Sequence, residues 1–179
     1  MELKELNRKN DLTQKYSKGT IAIHWITTIL ILILFPLGKY MADLPAEEKM
    51  GMIKVHAILG ILILLLTLIR SWYYFKKKRP ADIKTGSKFN DKLVTWIHNI
   101  FYFLLFGIAF SGIATMIAGG YGDALQASNF EFINERSQIT PLKPHGILAT
   151  IMMLLLLMHV LGVLKHYIFT KENTLKRIF

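Results

Sequence analysis

Long apolar runs alternate with short charged segments along this chain. A membrane-spanning helix needs about 20 largely apolar residues, and four stretches supply them: residues 20–37, 53–74, 93–118 and 145–169. The first is the shortest and can borrow Tyr16, Ser17 and Gly19 at headgroup level. The second contains ILGILILLLTLI and the fourth IMMLLLLMHVLGVL, neither with a polar side chain larger than threonine or histidine. A soluble bundle shows a polar stripe on every helix, and these runs show none. The pattern predicts an all-α fold, an integral membrane four-helix bundle forming one domain over 1–179. A charged tail of about 20 residues before the first run, and no small-x-small site after it, argue against a cleaved signal peptide.

Composition agrees. Of 179 residues 53% are hydrophobic, 12% aromatic and 19% charged, with a mean hydropathy of +0.37, which excludes a disordered linker. There is no cysteine, so disulfides, thiolate zinc, iron–sulfur clusters and covalent haem attachment are excluded together. The net charge of +10 would suit nucleic acid, but the cations sit at the ends of apolar runs. The tail to Thr20 holds Lys4, Arg8, Lys9, Lys15 and Lys18. The segment 75–92 holds seven basic residues, including Lys76-Lys77-Lys78-Arg79, and Lys165, Lys171, Lys176 and Arg177 close the chain. Segments 38–52 and 119–144 hold two each. The positive-inside rule then puts both termini in the cytoplasm. The basic clusters anchor helices against anionic headgroups and need no nucleic acid. The longest outside segment, 119–144, carries Tyr121, Phe130 and Phe132 and predicts a short interfacial helix or a lid.

Candidate chemistry resides in six histidines: His24, His56, His98, His145, His159 and His166. All lie within or at the ends of the runs, whereas every Asp and Glu lies in tails and loops. A charged side chain at the bilayer centre costs about 2.5–3.5 kcal/mol on insertion scales, which a neutral imidazole avoids. A proton-coupled transporter places carboxylates in the bundle, and none is there. Imidazoles without carboxylates or thiolates suit axial ligation of haem iron.

Spacing sharpens this. His145 and His159 are 14 residues apart, so they differ by about 40° in direction and about 21 Å along one helix. One ligand lies towards each side of a hydrocarbon core of about 30 Å. His56 is level with His145, and His24 lies on the side of His159, which gives the pairs His56/His145 and His24/His159. Depth alone leaves His24/His98 open, though it would strand His159. His166 is seven residues beyond His159 on the same face. Arg70 and Lys54, at opposite ends of the second run, are candidates for haem propionates or simply snorkel to the headgroups. Gly60, Gly107, Gly112 and Gly162 would admit a flat macrocycle or serve helix packing. Trp25, Trp72, Tyr73, Tyr74 and Trp96 form an aromatic belt, and Met152, Met153 and Met158 are core filling.

Tyr16-Ser17 and Ile23-His24-Trp25, His56 with Gly60, Trp96-Ile97-His98 with the aromatic run to Phe106, His145, His159, and His166-Tyr167 followed by Lys171-Glu172-Asn173-Thr174-Leu175-Lys176-Arg177 together resemble the bacterial cytochrome b561 family. The resemblance runs from about Tyr16 to Arg177, with a tail before Tyr16 longer than the family pattern. It implies two non-covalent b-type haems in the inner membrane, ligated by His24/His159 and His56/His145. It leaves His98 and His166 to touch those ligands, the propionates or a quinone. It also implies electron transfer with the quinone pool, with quinol or superoxide as donor, the latter making a superoxide:ubiquinone oxidoreductase. Two competing expectations are a haem-b anchor subunit serving a partner dehydrogenase or hydrogenase, and a haem-free transporter or structural membrane protein.

Overall fold

The computed structural model describes residues 14–76, 80 and 87–179. Four long helices dominate: α1 (Lys18–Ala42), α2 (Ala46–Lys76), α3 (Lys88–Ala118) and, after a short α4 (Tyr121–Ala127), α5 (Leu142–Thr170). There is no strand among the described residues, and each long helix is apolar and long enough to cross a membrane. They overrun the apolar runs. The 31 residues of α2 rise about 46 Å, more than a hydrocarbon core of about 30 Å. The excess turns are made of good helix formers such as Ala46, Glu47, Glu48 and Lys49, with the two carboxylates in the first turn against the positive end of the helix dipole.

Local chemistry sets the ends. The Ser17 hydroxyl caps α1 by accepting from the Thr20 amide at 3.3 Å, and the Ser87 hydroxyl caps α3 by accepting from the Asn90 amide at 3.4 Å, each satisfying an orphan amide of the first turn. Gly120 turns the chain out of α3 at φ 67°, and a Cβ there would overlap the Phe132 carbonyl.

The helices run up, down, up, down. The contacts of α1 with α2 and of α3 with α5 are the most extensive, α2 with α3 follows, and α1 meets α5 only sparsely. Four crossings leave residues 14 and 179 on one face, the terminal face, and put 43–45 and 119–141 on the opposite loop face. Of the basic clusters used for orientation, Lys4, Arg8, Lys9, Lys77, Lys78, Arg79 and Lys84 lie outside the described residues.

Each face has its own closure. On the loop face, segment 119–141 is a packed cap containing α4, as the interfacial-helix expectation had it. Tyr121 and Ile139 bury against Ile53, with Met41, Met116 and Leu125 around them. Arg136 ties the cap to α1 through the Ala42 carbonyl at 2.7 Å and Asp43 at 3.3 Å. Burial pushes the Tyr121 phenol up from its ordinary value, with the Arg136 cation opposing. On the terminal face, the chain hooks back after α5. Arg177 is only 5% exposed; its Nε donates to the Gln14 carbonyl at 3.0 Å and its carbonyl accepts from the Tyr16 amide at 3.1 Å.

Trp25 departs from the expected belt. Its indole N–H donates to the Ile178 carbonyl at 2.8 Å and its ring packs on Phe179. It therefore clasps the C-terminus, whereas Trp72 and Trp96 face outward. The methionines divide as well: Met152 is 2% exposed at the bundle centre, and Met158 is 67% exposed on the outer surface.

Candidate functional site

Because α5 is unbroken from Leu142 to Thr170, His145 and His159 project from one face at opposite ends of the bundle. Each meets another imidazole.

At the loop-face end, the rings of His56 on α2 and His145 on α5 lie 6.2 Å apart between centroids, inclined at 70°. Two imidazoles sharing one metal on opposite sides, each at a metal–nitrogen distance of about 2 Å, place their ring centres about 6 Å apart. His145 is fixed from behind: its Nδ1 lies 2.9 Å from the Ile108 carbonyl and 3.2 Å from the Ser111 hydroxyl. A carbonyl can only accept, so Nδ1 carries the hydrogen, and Nε2 is left with its lone pair for a metal. Nδ1 of His56 is buried and has no hydrogen-bond partner. The residues therefore fit an iron held by two neutral imidazoles.

Glycines cradle both rings. A Cβ at Gly38 of α1 would stand 3.1 Å from His56 Cε1, and one at Gly112 of α3 would stand 3.0 Å from His145 Cε1. Gly112 was among the glycines expected to admit a macrocycle; here it admits the imidazole. Gly107 does the same for Leu148, at 3.2 Å, while Gly60 and Gly162 have nothing within 4 Å. Gly38 was not singled out from the sequence, because nothing in its spacing marks it as facing His56.

At the terminal-face end, three imidazoles gather. The His98 and His159 rings are 5.5 Å apart at 79°, and Phe101 packs edge-on to His159, also at 5.5 Å. His24 lies within electrostatic reach of His159, His98 and Arg70. Nδ1 of His98 is anchored to the Val94 carbonyl at 2.7 Å. The Arg70 guanidinium lies over the Tyr102 ring at 5.6 Å. Arg70 thus stands beside the cluster, with Phe101 and Tyr102 as neighbours that the sequence did not announce.

The remaining candidates lie apart. Lys54 is exposed and two positions before His56, about 200° round α2, so the loop-face pair does not include it. His166 lies at the terminal face, its Nε2 3.3 Å from Glu172 Oε2. No group of three or more side chains placed to hold a metal ion together occurs among the described residues.

A model of the prokaryotic cytochrome b561 family matches residues 15–179. A probable superoxide oxidase CybB of Yersinia pestis is 25% identical over 92% of this chain and 96% of its own length. Cytochrome b561 homolog 2 of Escherichia coli K12 is 25% identical over 92% and 91%. A cytochrome b562 of Cereibacter sphaeroides is 27% identical over 91% and 94%.

Proposed function

Given that this chain belongs to the prokaryotic cytochrome b561 family, we propose that it is a di-haem b-type electron carrier of the bacterial inner membrane, exchanging electrons with the quinone pool. Membrane electron transfer through b-type haem is the property of the family. The number of haems, their ligands and the redox partners are the proposal. The observation that carries it is the pair of imidazole sites about 21 Å apart on one helix, the His145 ring against His56 at one, and His159 within reach of His24, with His98 beside it, at the other.

A bound b-type haem supplies a one-electron couple whose potential follows from axial ligation, neighbouring hydrogen bonds and burial. The chain's residues do the rest. His56 and His145 hold the loop-face site, and the Ile108 carbonyl keeps the His145 tautomer and ring orientation fixed. His24 and His159 hold the terminal-face site, an assignment the family pattern supports. His98 then packs against His159 from the side, and Arg70 offers a cation to a propionate. The basic tail and the cluster between α2 and α3 keep the terminal face in the cytoplasm.

Superoxide is the donor to test first, since one relative bears the name of a probable superoxide oxidase. Two superoxide anions would each lose one electron and leave as O2, while one quinone takes both electrons and two protons to become quinol.

The deciding experiment is a dithionite-reduced minus oxidised spectrum of the purified protein, with haem and chain quantified together. A b-type α-band with two haems per chain is expected. One haem would overturn one of the axial pairs, and a colourless folded protein would overturn the whole reading. A stoichiometric partner on purification would make the chain an anchor subunit instead.

A further inference from the structure

The two loop-face segments, 38–52 and 119–144, carry six carboxylates and only four cations: Lys39, Lys49, Arg136 and Lys143. Three of those four, Lys39, Arg136 and Lys143, line a single groove of about 720 Å³ between the loop-face ends of α1 and α5. Ile139, Leu142, Ile147 and Ile151 supply its apolar lining, with the hydroxyls of Ser137, Thr140 and Thr150 interspersed. Cations converging over an apolar trough, on a face otherwise rich in carboxylates, select a molecule with an anionic head and a hydrocarbon body.

The groove opens away from the imidazole pair. Its α5 residues Gly146, Ile147, Thr150 and Ile151 centre about 170° round the helix from His145, at about 100° per residue. It therefore faces the hydrocarbon surroundings and not the bundle interior, along the flank where α1 and α5 touch least. Lys39 leans towards the apolar zone, its Nζ 5.7 Å from the centre of the Phe35 ring one turn earlier. Among the described residues, Arg136 is held at the mouth through Nη1 alone, by Ala42 and Asp43. The other edge of its planar fork is then available to a phosphate, which it suits geometrically. Asp43 offsets one of the three charges, leaving a net positive mouth.

We propose that this groove is a binding site for an anionic phospholipid, with the phosphate at Arg136, Lys39 and Lys143 and an acyl chain laid along Ile147 and Ile151. The site is independent of the haem assignment and stands or falls without it.

The test is native mass spectrometry of the intact holoprotein in mild detergent, titrated with phosphatidylglycerol and, separately, phosphatidylcholine. The expected result is tight uptake of one phosphatidylglycerol and weak uptake of phosphatidylcholine. Each cation facing an anionic headgroup is worth about fivefold, so the triple variant Lys39→Gln, Arg136→Gln, Lys143→Gln should lose roughly two orders of magnitude. Lys49→Gln, which removes a cation of the same face outside the groove, should change nothing. If the triple variant misfolds, as a loss of helical circular dichroism would show, Ile147→Trp fills the trough with every cation intact and should abolish uptake by itself. Equal binding of the two lipids, undiminished binding by a folded triple variant, or undiminished binding by Ile147→Trp would each overturn the proposal. So would displacement of the lipid by millimolar inorganic phosphate, which would show a free-anion site.

Discussion

Replacing Gly112 by alanine separates the haem site from the stability of the bundle that holds it. The added Cβ would stand 3.0 Å from His145 Cε1 and 3.3 Å from Nδ1. Carbon atoms pack optimally at about 3.5–4.0 Å, so the imidazole must withdraw by about 0.5 Å. Separation of the two helices is resisted, because α3 and α5 pack against one another along the most extensive helix contact of the bundle. The displacement therefore falls on the ring, whose 2.9 Å contact with the Ile108 carbonyl stretches past the usual limit of about 3.2 Å.

Two effects on folding oppose one another. Overpacking costs about 1–3 kcal/mol, and alanine exceeds glycine in helix propensity by about 0.8–1.0 kcal/mol. The net loss of stability is therefore modest, at most about 2 kcal/mol. Loss of the contact that orients a metal-bound histidine, by contrast, lowers affinity about 10–100-fold. The assay is haem per chain by pyridine haemochromogen together with the thermal melt, with Gly51→Ala as control, since Gly51 has nothing within 4 Å. Gly112→Ala is expected to fold, to lose haem from the loop-face site and to keep the other. Two fully retained haems with an unchanged low-spin spectrum would refute the reasoning that the glycine makes room for a ligand.

The remaining predictions concern other parts of the molecule. His56→Ala and His145→Ala should each remove the same haem, and His24→Ala and His159→Ala the other, read as one haem per chain with two distinct residual spectra. His98→Ala should keep both, and if it abolishes a haem while His159→Ala retains two, the terminal-face assignment is wrong. Arg177→Lys should destabilise nearly as much as Arg177→Ala, by about 1.5–3 kcal/mol in a thermal melt, because a lysine cannot reproduce the planar guanidinium that reaches Gln14 and lies over Tyr16; full rescue by lysine would show that charge alone matters. The Tyr121 phenol, raised by burial, contributes stability below the ordinary tyrosine value of about 10 and loses it as pH climbs through the higher native value. Stability measured from pH 9 to 11 should therefore fall less steeply in Tyr121→Phe than in the parent protein.

What could be foreseen follows from which quantities a linear sequence encodes. Depth in a membrane is a count of residues at about 1.5 Å each, so the four spans and the levels of His56 and His145 were legible. Direction along a single helix is also a count, which is why His145 and His159 fall on one face. By the same arithmetic Lys54 points about 200° away from His56, and its exposed position follows from a two-residue spacing. Rotation of one helix against another is not a count. It is set by the sum of side-chain fits along both, and a one-residue shift in the facing partner changes depth by only about 1.5 Å while turning the side chain by about 100°. His98 illustrates this: by depth it could face His24, but the rotation of α3 carries its ring against His159.

Close approach is hidden for the same reason. Gly38 and Gly112 look like any small residues in an apolar run until a neighbouring helix presents His56 or His145 to them. Trp25 looks like an interfacial anchor because the partner that claims its indole, the Ile178 carbonyl, lies 153 positions later. The hook that makes this contact also explains the end of the chain in physical terms. Lys171 takes a left-handed conformation at φ 57° and ends α5, a short 3-10 turn follows over Thr174–Arg177, and the turn delivers the buried Arg177 between Gln14 and Tyr16. The C-terminal hook thus binds the segment leading into α1 and, through Trp25, the position one residue along from His24. Residues 14–16, Trp25 with its neighbour His24, and residues 177–179 are held by one continuous set of contacts, so loosening the hook at Arg177 should reach His24 through Trp25 before it reaches the loop-face pair.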